Sequence, residues 1–526
     1  MSQYQTNIQT PLYYAESAGF IAGRDPMGIQ NSSVVIYAGL LPGITNLTER
    51  IRFYGFYCWL LDQYDGLEEE KLSYKHQYNF IRRAELAIAF FMYDKDPDFV
   101  AIPGKSFAGD FIKHLKNKGT IKLRSGADKG QFLLDDKGER RSYWKYSSGA
   151  LGQYYAGALN ALSLVKVKEK YYLLQPKGNK LAEAFAESID AKNKSTLLSI
   201  IREGEIRYSD LSNLKLFDIS NINVSSSEWK LYIDILFNRG NFSKPTHQRR
   251  DTLLHYLKVC DTSFSKGNWL LGEYFFQNRK EVSYKNNSAS LGWHIYYTQE
   301  LIHYAIEHIF NGMLILMKKD MFEVKGFVRQ QTDKFSKSLL KRGVNPNDKL
   351  EALFDSTNGL YNHSPLKIKR ELDEMAKDHK FGMVYCLSLM VIVNTYRSIK
   401  NKVKVFEDYL FKNNLDGRRG NILQMHTYLN RNAEKSIRLF FESFLFKILN
   451  DHQIVACNKI GNGEAQVHKF LIEHNHLIQI DHISPRMTNP RLGSVKSILE
   501  DLKLLDKQSQ TPTEEAHFLL NKYLPN

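Results

Sequence analysis

Residues 147–185 constrain the fold more than any other stretch, because they set a helix, a short hairpin and a second helix in one order. Small residues from Ala150 to Ala161 recur at helical spacing, which predicts a helix packed close to a neighbour. Two β-prone segments, 164–167 and 171–174, flank a charged turn and predict a hairpin with a very short loop. This is the order of a winged helix-turn-helix, so we expect a mainly α protein with such a module embedded in it.

The end of this hairpin also resembles a phrase of bacterial winged-helix domains, YxLTPxG followed by LA. The match is carried by Tyr172, Leu174, Pro176, Gly178, Leu181 and Ala182, with Gln175 where threonine is usual. Proline has no amide hydrogen for a strand ladder, so Pro176 should also end the second strand. The resemblance implies a winged-helix module, and such modules bind either nucleic acid or protein.

Positive charge is concentrated around this predicted module. Residues 113–180 hold 15 lysines and arginines against five aspartates and glutamates, a net charge of +10 out of +15 for the chain. Such clustering is typical of a surface that binds phosphates. The candidate contacts are Lys166, Lys168, Lys170 and Lys177 on the wing, and Arg140, Arg141 and Lys145 at the N-terminal entrance of the helix at Ser147. At that entrance, free backbone N–H groups would favour phosphate. The alternative is a merely solvated hairpin or a protein-binding module.

A second informative segment, residues 40–64, reads LLPGITNLTERIRFYGFYCWLLDQY. It predicts a deeply buried helix with Asn46 and Glu49 as its capping residues. Arg50 and Arg52 lie near the start of that helix, where the helix dipole disfavours positive charge. We therefore expect each arginine to have a partner, either an acidic side chain such as those at 68–70 or an external anion.

The same segment resembles the N-terminal signature of an uncharacterised family of bacterial proteins encoded in anti-phage defence clusters. The match is carried by Leu41, Pro42, Gly43, Thr48, Arg50, Arg52, Tyr54, Phe56 and Trp59. The resemblance implies a subunit of a multi-gene defence complex, whose other subunits would be its protein partners. An ATPase or a nuclease is a candidate among those partners.

A chain of 526 residues is long enough for several domains. We expect an N-terminal arm and helical domain at 1–104, the winged helix-turn-helix at 105–190, a helical domain at 191–420, and a C-terminal helix plus a small α+β module at 421–526. The strands of that last module are predicted at 454–460, 467–472 and 477–483, and a further strand at 34–37.

The expected compartment is the cytoplasm, without membrane contact. The four cysteines are far apart and form no CxxC pair, so neither a disulfide framework nor a cysteine metal site is indicated. The longest nearly apolar run, 381–393, is shorter than the roughly 20 residues that a membrane helix needs.

A possible metal site lies on a long helix predicted at 290–318. Glu300, His303 and Glu307 share one face of it, and Glu-x-x-His spacing occurs in di-metal sites of four-helix proteins. The other long helices that the sequence predicts carry no second pair of that spacing. A satisfied polar stripe on an amphipathic helix is therefore the preferred interpretation, and no metal or other cofactor is expected.

A possible catalytic residue is His482. The segment IDHISPR, 480–486, resembles the strand end of HNH nucleases, where an Asp-His pair activates water beside a metal ion. Such a site needs further ligands on the following helix, and that helix offers none. A turn that merely redirects the chain is the preferred interpretation.

The predicted function is that of a non-catalytic, nucleic-acid-binding subunit of a defence complex, which contacts DNA, or RNA, through phosphates. Phosphate-binding loops of the GxxxxGK[ST] type, GxSxG elbows and Rossmann glycine sets do not occur in the sequence. Two alternatives stay open, an assembly scaffold that binds only proteins and, more weakly, a metal-dependent nuclease using His482.

Overall fold

The computed structural model describes residues 25–67, 73–237, 245–262, 270–285, 288–318, 321–355, 364–415, 421–461 and 467–524. The contacts divide the chain into two compact units, each built from two segments that are distant in sequence. Unit 1 comprises Met1–Tyr37 and Gly272–Pro490, and unit 2 comprises Ala38–Leu271 and Arg491–Asn526. The four domains expected from the sequence are consecutive, whereas each of these units joins two distant segments.

The protein is mainly helical. In chain order the α-helices of the described residues are α1 Gln30–Leu40, α2 Arg52–Asp65, α3 Tyr74–Lys95, α4 Lys105–Lys118, α5 Arg124–Ala127, α6 Ala156–Ala161, α7 Pro176–Glu187, α8 Ala191–Glu203, α9 Ser227–Phe237, α10 Pro245–Cys260, α11 Leu270–Gln277, α12 Ala289–Met317, α13 Val324–Lys341, α14 Ala352–Asp355, α15 Pro365–Lys377, α16 Phe381–Ile399, α17 Val403–Lys412, α18 Ile422–Arg431, α19 Ile437–Gly461, α20 Leu492–Asp501 and α21 Glu514–Tyr523. A π-helical turn, Leu151–Tyr155, precedes α6, and 3₁₀ turns lie at Tyr208–Phe217, Arg279–Glu281 and Lys400–Lys402.

The strands are short and pair only antiparallel. They are β1 Thr120–Ile121, β2 Leu133–Leu134, β3 Arg140–Arg141, β4 Val165–Lys168, β5 Tyr171–Leu174, β6 Ile206–Arg207, β7 Phe322–Glu323, β8 Phe470–Glu473 and β9 His476–Gln479. Within the part of the chain that the structure describes, β1 pairs with β6, β2 with β3 and β4 with β5, while β9 lies between β7 and β8. We call β4–β5 with its turn the lysine hairpin (165–174), and β8–β9 with its turn the C-terminal hairpin (470–479).

Unit 2 is organised around α2, the helix of the predicted defence signature. Every residue from 52 to 61 is buried, and the helix packs against α7. Its aromatic side chains form the centre of the core, with the Phe56 and Phe185 rings 6.3 Å apart and the Trp59 and Phe217 rings 5.1 Å apart. Aromatic contacts at these distances add to the free energy gained by burying the rings.

The arginines at the start of α2 have internal acidic partners. Arg50 binds Asp501 at 2.9 Å and Arg52 binds Glu228 at 3.1 Å, and all four side chains are buried. Of the two kinds of partner expected, the internal acidic side chain is confirmed for both arginines. Neither partner belongs to 68–70, which lies outside the described residues. The capping prediction is wrong, because α2 begins at Arg52 and no side chain caps it.

Unit 1 is a bundle of long helices. Helix α12 packs against α16, which also contacts α13 and α15. The long helix predicted at 290–318 is thus confirmed as α12, and nearly all of its side chains are buried. One helical run in the described ranges, 381–412, is long and apolar enough to cross a membrane, but 78% of its most apolar window is buried inside the protein. That burial is typical of a core helix of a soluble protein.

Two of the predicted strands are helical. Residues 34–37 lie in α1, and 454–460 lie in α19. The sequence from Ile437 to Ile460 contains neither glycine nor proline, so nothing interrupts that helix before Gly461. The segments predicted at 467–472 and 477–483 do overlap β8 and β9. The predicted C-terminal module is divided at Pro490, with the C-terminal hairpin in unit 1 and α20 and α21 in unit 2.

Candidate nucleic-acid interface

The lysine hairpin has a two-residue turn. Glu169 and Lys170 both have positive φ angles, 50° and 74°, the backbone of a turn that matches the twist of its strands. In the strand register, Lys166 lies opposite Leu173 and Lys168 lies opposite Tyr171. Since side chains alternate along a strand, the two lysines share one face of the hairpin with Tyr171 and Leu173.

Helix α3 holds the hairpin in place. The Gln77 side chain donates to the carbonyl oxygen of Tyr172 and accepts from its amide, both at 3.0 Å. The Tyr78 hydroxyl donates to the carbonyl oxygen of Lys170 at 2.7 Å. The Lys170 ammonium lies over the Tyr74 ring, 4.9 Å from its centre. These contacts fix both the free edge of β5 and the turn against one long helix.

The hairpin lysines are open to solvent. Lys166, Lys168 and Lys170 are exposed, and none of them forms an ion pair with an acidic side chain among the described residues. Their charges are therefore uncompensated at the surface. This is the arrangement that the phosphate-binding prediction requires of the hairpin.

The N-terminal entrance of the Ser147 helix is closed. Glu85, fully buried on α3, accepts hydrogen bonds from the amides of Ala150 at 3.0 Å and Leu151 at 2.8 Å. It also accepts from the hydroxyls of Tyr57, at 2.9 Å, and Tyr143. Burial raises the pKa of the Glu85 carboxyl, although these four donors oppose the shift. The expectation that phosphate binds at this helix start is wrong, because an internal carboxylate occupies the same amides.

The cations expected at that entrance lie elsewhere. Arg140 and Arg141 form strand β3. Arg141 pairs with Asp110 and, at 3.7 Å, with Asp135, so its charge is compensated. Arg140 is exposed and stacks over Phe132 at 5.5 Å. Lys145 is exposed. Arg140 and Lys145 stay candidates for phosphate contact, whereas Arg141 is already bound to carboxylates.

Lys177 differs from the other wing candidates. It lies in the first turn of α7 and is half-buried. Burial and then the nearby charge of Arg249 lower its pKa, while Asp234 raises it. Lys177 is therefore less open to solvent than Lys166 and Lys168.

Residues that sequence reasoning missed turn out to support the hairpin. Gln77 and Glu85 lie on the apolar side of α3, in the run NFIRRAELAIAFF and just before it, where burial of a polar side chain requires a partner. An acidic residue in such an apolar run is the sequence signal that could have identified Glu85 as a buried hydrogen-bond acceptor. Gln77 has no comparable signal.

The metal candidates do come together in unit 1. Glu300, His303 and Glu307 are buried on α12, and His303 lies 3.1 Å from Glu307. Burial lowers the pKa of His303, but the two flanking carboxylates outweigh it and raise the pKa to about 10. Each carboxylate also accepts a hydrogen bond from a backbone amide of the segment after β9. Glu300 accepts from Thr488 at 2.6 Å, and Glu307 accepts from Arg486 at 3.0 Å.

This geometry fits a buried charge pair that ties one segment to α12. Among the described residues no three His, Cys, Asp or Glu side chains converge as metal ligands would. Each carboxylate of the stripe accepts a backbone N–H and lies beside His303. Glu300 Oε1 and both ring nitrogens of His303, however, have no hydrogen bond of good geometry among the described residues. The satisfied polar stripe that the sequence favoured is therefore present only in part.

His482 lies on the surface just after the C-terminal hairpin. Its side chain is 65% exposed and lies 3.4 Å from Asp481, which in turn binds Lys469 at 2.5 Å. Residues 480–490 form no helix, so no helical ligand follows within unit 1. The arrangement lacks the second element that a ββα metal site requires.

Comparison with known proteins adds no assignment: no family model, no curated protein and no solved structure matches this chain.

Proposed function

We propose that this protein binds the phosphate backbone of nucleic acid through the lysine hairpin, as a non-catalytic subunit of a bacterial anti-phage defence complex. The observation that carries the proposal is the hairpin itself, which presents Lys166, Lys168 and Lys170 unpaired to solvent. Arg140 and Lys145 are additional candidate contacts of the same stretch. The membership of a defence complex rests on the resemblance of residues 41–59 alone.

The hairpin is preorganised for this task. Helix α3 already fixes both the β5 edge and the turn. Because the hairpin backbone is ordered before binding, little conformational entropy is lost when a ligand binds. Lys166 and Lys168 lie two residues apart on one face, about 6.7 Å along the strand. That spacing is about twice the roughly 3.4 Å between successive phosphates of one strand along a duplex axis. Contacts of this kind give affinity without reading sequence.

The module around the hairpin is proposed to be a winged helix-turn-helix. Helix α4, helix α5, the helix of residues 151–161 and the lysine hairpin follow one another in the order of that fold. The third strand that often completes the wing is not supplied by β1, which pairs with β6. The wing of this module is then the two-stranded hairpin on its own.

Charge reversal tests the proposal. The variant Lys166→Glu, Lys168→Glu, Lys170→Glu should bind a duplex DNA more than about tenfold more weakly in approximately 0.1 M salt, because phosphate attraction is replaced by repulsion. The slope of log affinity against log salt should fall by about 2 to 3, since each lost phosphate contact removes roughly 0.7 to 0.9. Fluorescence anisotropy titrations at several salt concentrations measure both quantities.

The matched control changes the same charge on another surface. Lys325, Lys337 and Lys341 are exposed on α13 of unit 1, and their triple change to glutamate alters the net charge equally. If both triple variants bind equally weakly, the loss reflects net charge in general, and the proposal is overturned. A wild-type chain that binds no duplex and no single strand would also overturn it and would favour the scaffold function. Unchanged thermal unfolding shows that the variants fold.

A further inference from the structure

The helix that would enter a DNA groove carries no charge. From Ser147 to Val165 the sequence contains no Lys, Arg, Asp or Glu. The exposed residues of the helix at 151–161 are Gln153, Gly157, Asn160 and Ala161. A helix that docks in the groove of a duplex is flanked by phosphates on both sides and normally contacts them with cations or free N–H groups. Here the N–H groups at the helix start are bound by Glu85.

The lysine hairpin, in contrast, is bordered by tyrosines. Tyr171 shares the hairpin face of Lys166 and Lys168, and its ring lies 6.5 Å from that of Tyr74 at an angle of 89°. Both tyrosines are half-buried. Neither hydroxyl makes a hydrogen bond within the described residues. The Tyr74 ring is positioned instead by the Lys170 ammonium over it and by the Tyr78 ring 5.3 Å away.

The cations and rings form one continuous surface. Lys170 lies over the Tyr74 ring, and Lys168 lies opposite Tyr171 in the register. Proteins that bind single strands combine these two elements, a cationic track for the backbone and aromatic rings on which bases stack. A duplex offers such rings no base faces, because its bases are already stacked on one another.

We propose that Tyr74 and Tyr171 form a stacking site for unpaired bases, so that the preferred ligand of the lysine hairpin is single-stranded nucleic acid. This inference rests on the proposed phosphate binding by the same hairpin. The lysines hold the backbone and the two tyrosines hold one or two bases, whatever their sequence.

The test compares a fluorescent DNA strand of about 20 nucleotides with the duplex of the same sequence. The full-length chain should bind the single strand more tightly. The variant Tyr74→Ala, Tyr171→Ala should lose about fivefold or more in affinity for the single strand, since stacking on one ring contributes roughly 1–3 kcal/mol per base. Its affinity for the duplex should hardly change. Tyr74→Phe, Tyr171→Phe should keep the preference, because phenylalanine retains the ring.

Controls separate stacking from folding and from phosphate binding. Phe518, a 67% exposed aromatic on α21 of unit 2, is the control site, and Phe518→Ala should leave both affinities unchanged. If the alanine pair merely loosens the hairpin, both affinities fall together and the inference is overturned. Equal binding of single strand and duplex by the wild type, still abolished by reversal of the three lysines, overturns stacking alone and leaves the proposed function intact.

Discussion

The lysine hairpin and the C-terminal hairpin have nearly the same backbone and different chemistry. Each pairs two four-residue strands through two residues with positive φ, Glu169 and Lys170 in one and His474 and Asn475 in the other. Along both, the same positions are buried and exposed. Yet β4 reads VKVK and exposes lysines, whereas β8 reads FLIE and exposes Leu471 and Ile472. The same hairpin backbone can therefore present either a cationic or an apolar face.

The supports of the two hairpins differ as well. Beneath the lysine hairpin, the Tyr172 hydroxyl donates to Ser148 at 2.9 Å, and Glu85 binds the amides that follow. At the start of the C-terminal hairpin, His452 accepts from the amide of Lys469 at 2.9 Å and contacts the carbonyl oxygen of Pro26 at 2.8 Å. One support is a buried carboxyl group and the other a buried imidazole. Lowering the pH, or replacing the supporting residue, should therefore change the stability of the two hairpins differently.

The largest expected effect is the loss of Glu85. Glu85→Ala leaves four buried donors without an acceptor, and each such group costs about 1–3 kcal/mol. Unfolding of unit 2 should therefore require at least about 4 kcal/mol less free energy, as measured by urea denaturation. Glu85→Gln, which keeps one acceptor oxygen, should lose less.

Glu187 is the control for this experiment, since it is exposed on α7 of the same unit. Glu187→Ala should change the free energy of unfolding by no more than about 0.5 kcal/mol. Equal stability of the Glu85→Ala and Glu187→Ala proteins would show that the buried carboxyl does not anchor the helix under the lysine hairpin.

The second effect is a pH dependence at the C-terminal hairpin that depends on His452. Burial lowers the pKa of His452 to about 4, although its bond to Pro26 opposes the shift. The unfolded chain, with a histidine pKa of about 6.5, then binds more protons than the folded one between these values. Stability from this group is complete above pH 6.5 and falls as the pH is lowered towards 4, by about 3 kcal/mol in total.

Hydrogen exchange distinguishes the two hairpins. Between pH 6.5 and 4, protection of the Lys469 amide, corrected for intrinsic exchange, should fall more steeply than that of the Tyr172 amide, which is bound by Gln77 and not by histidine. In His452→Gln the steeper fall should disappear. If protection of the Lys469 amide falls as steeply in His452→Gln as in the wild type, the acid sensitivity comes from other buried histidines of unit 1, such as His294 and His308.

Local sequence predicted those features of the two hairpins that local physics determines. The turn of the lysine hairpin was predicted, since charged residues interrupt two β-prone runs there, and so were the two strand segments of the C-terminal hairpin. The helical class, α12 and α16 were also predictable, because apolar periodicity over many residues leaves few alternatives. Residues 454–460 were wrongly predicted as a strand. Their β-branched residues favour a strand locally, but the helix before them continues without a glycine or proline to end it.

The remaining structure depends on contacts between distant residues. Arg50 and Asp501 are 451 positions apart, and no local pattern could pair them or assign α20 and α21 to the unit that contains α2. At the candidate interface, the lysines were visible as a charge cluster, but their relation to Tyr74 and Gln77 depends on how α3 lies along β5. The closed helix entrance was missed for the same reason, since its carboxylate comes from 65 positions earlier in the chain.

The smallest expected effect concerns the turn of the lysine hairpin. Asparagine tolerates positive φ better than other non-glycine residues, and the C-terminal hairpin already has Asn475 in its turn. Glu169 adopts positive φ without that advantage, so Glu169→Asn should stabilise unit 2 by about 0.5 kcal/mol. It also removes a negative charge beside the lysines, so affinity for a single strand should rise slightly, by about twofold. Urea denaturation and anisotropy measure the two changes, and a destabilised variant would show that Glu169 makes a contact that asparagine cannot replace.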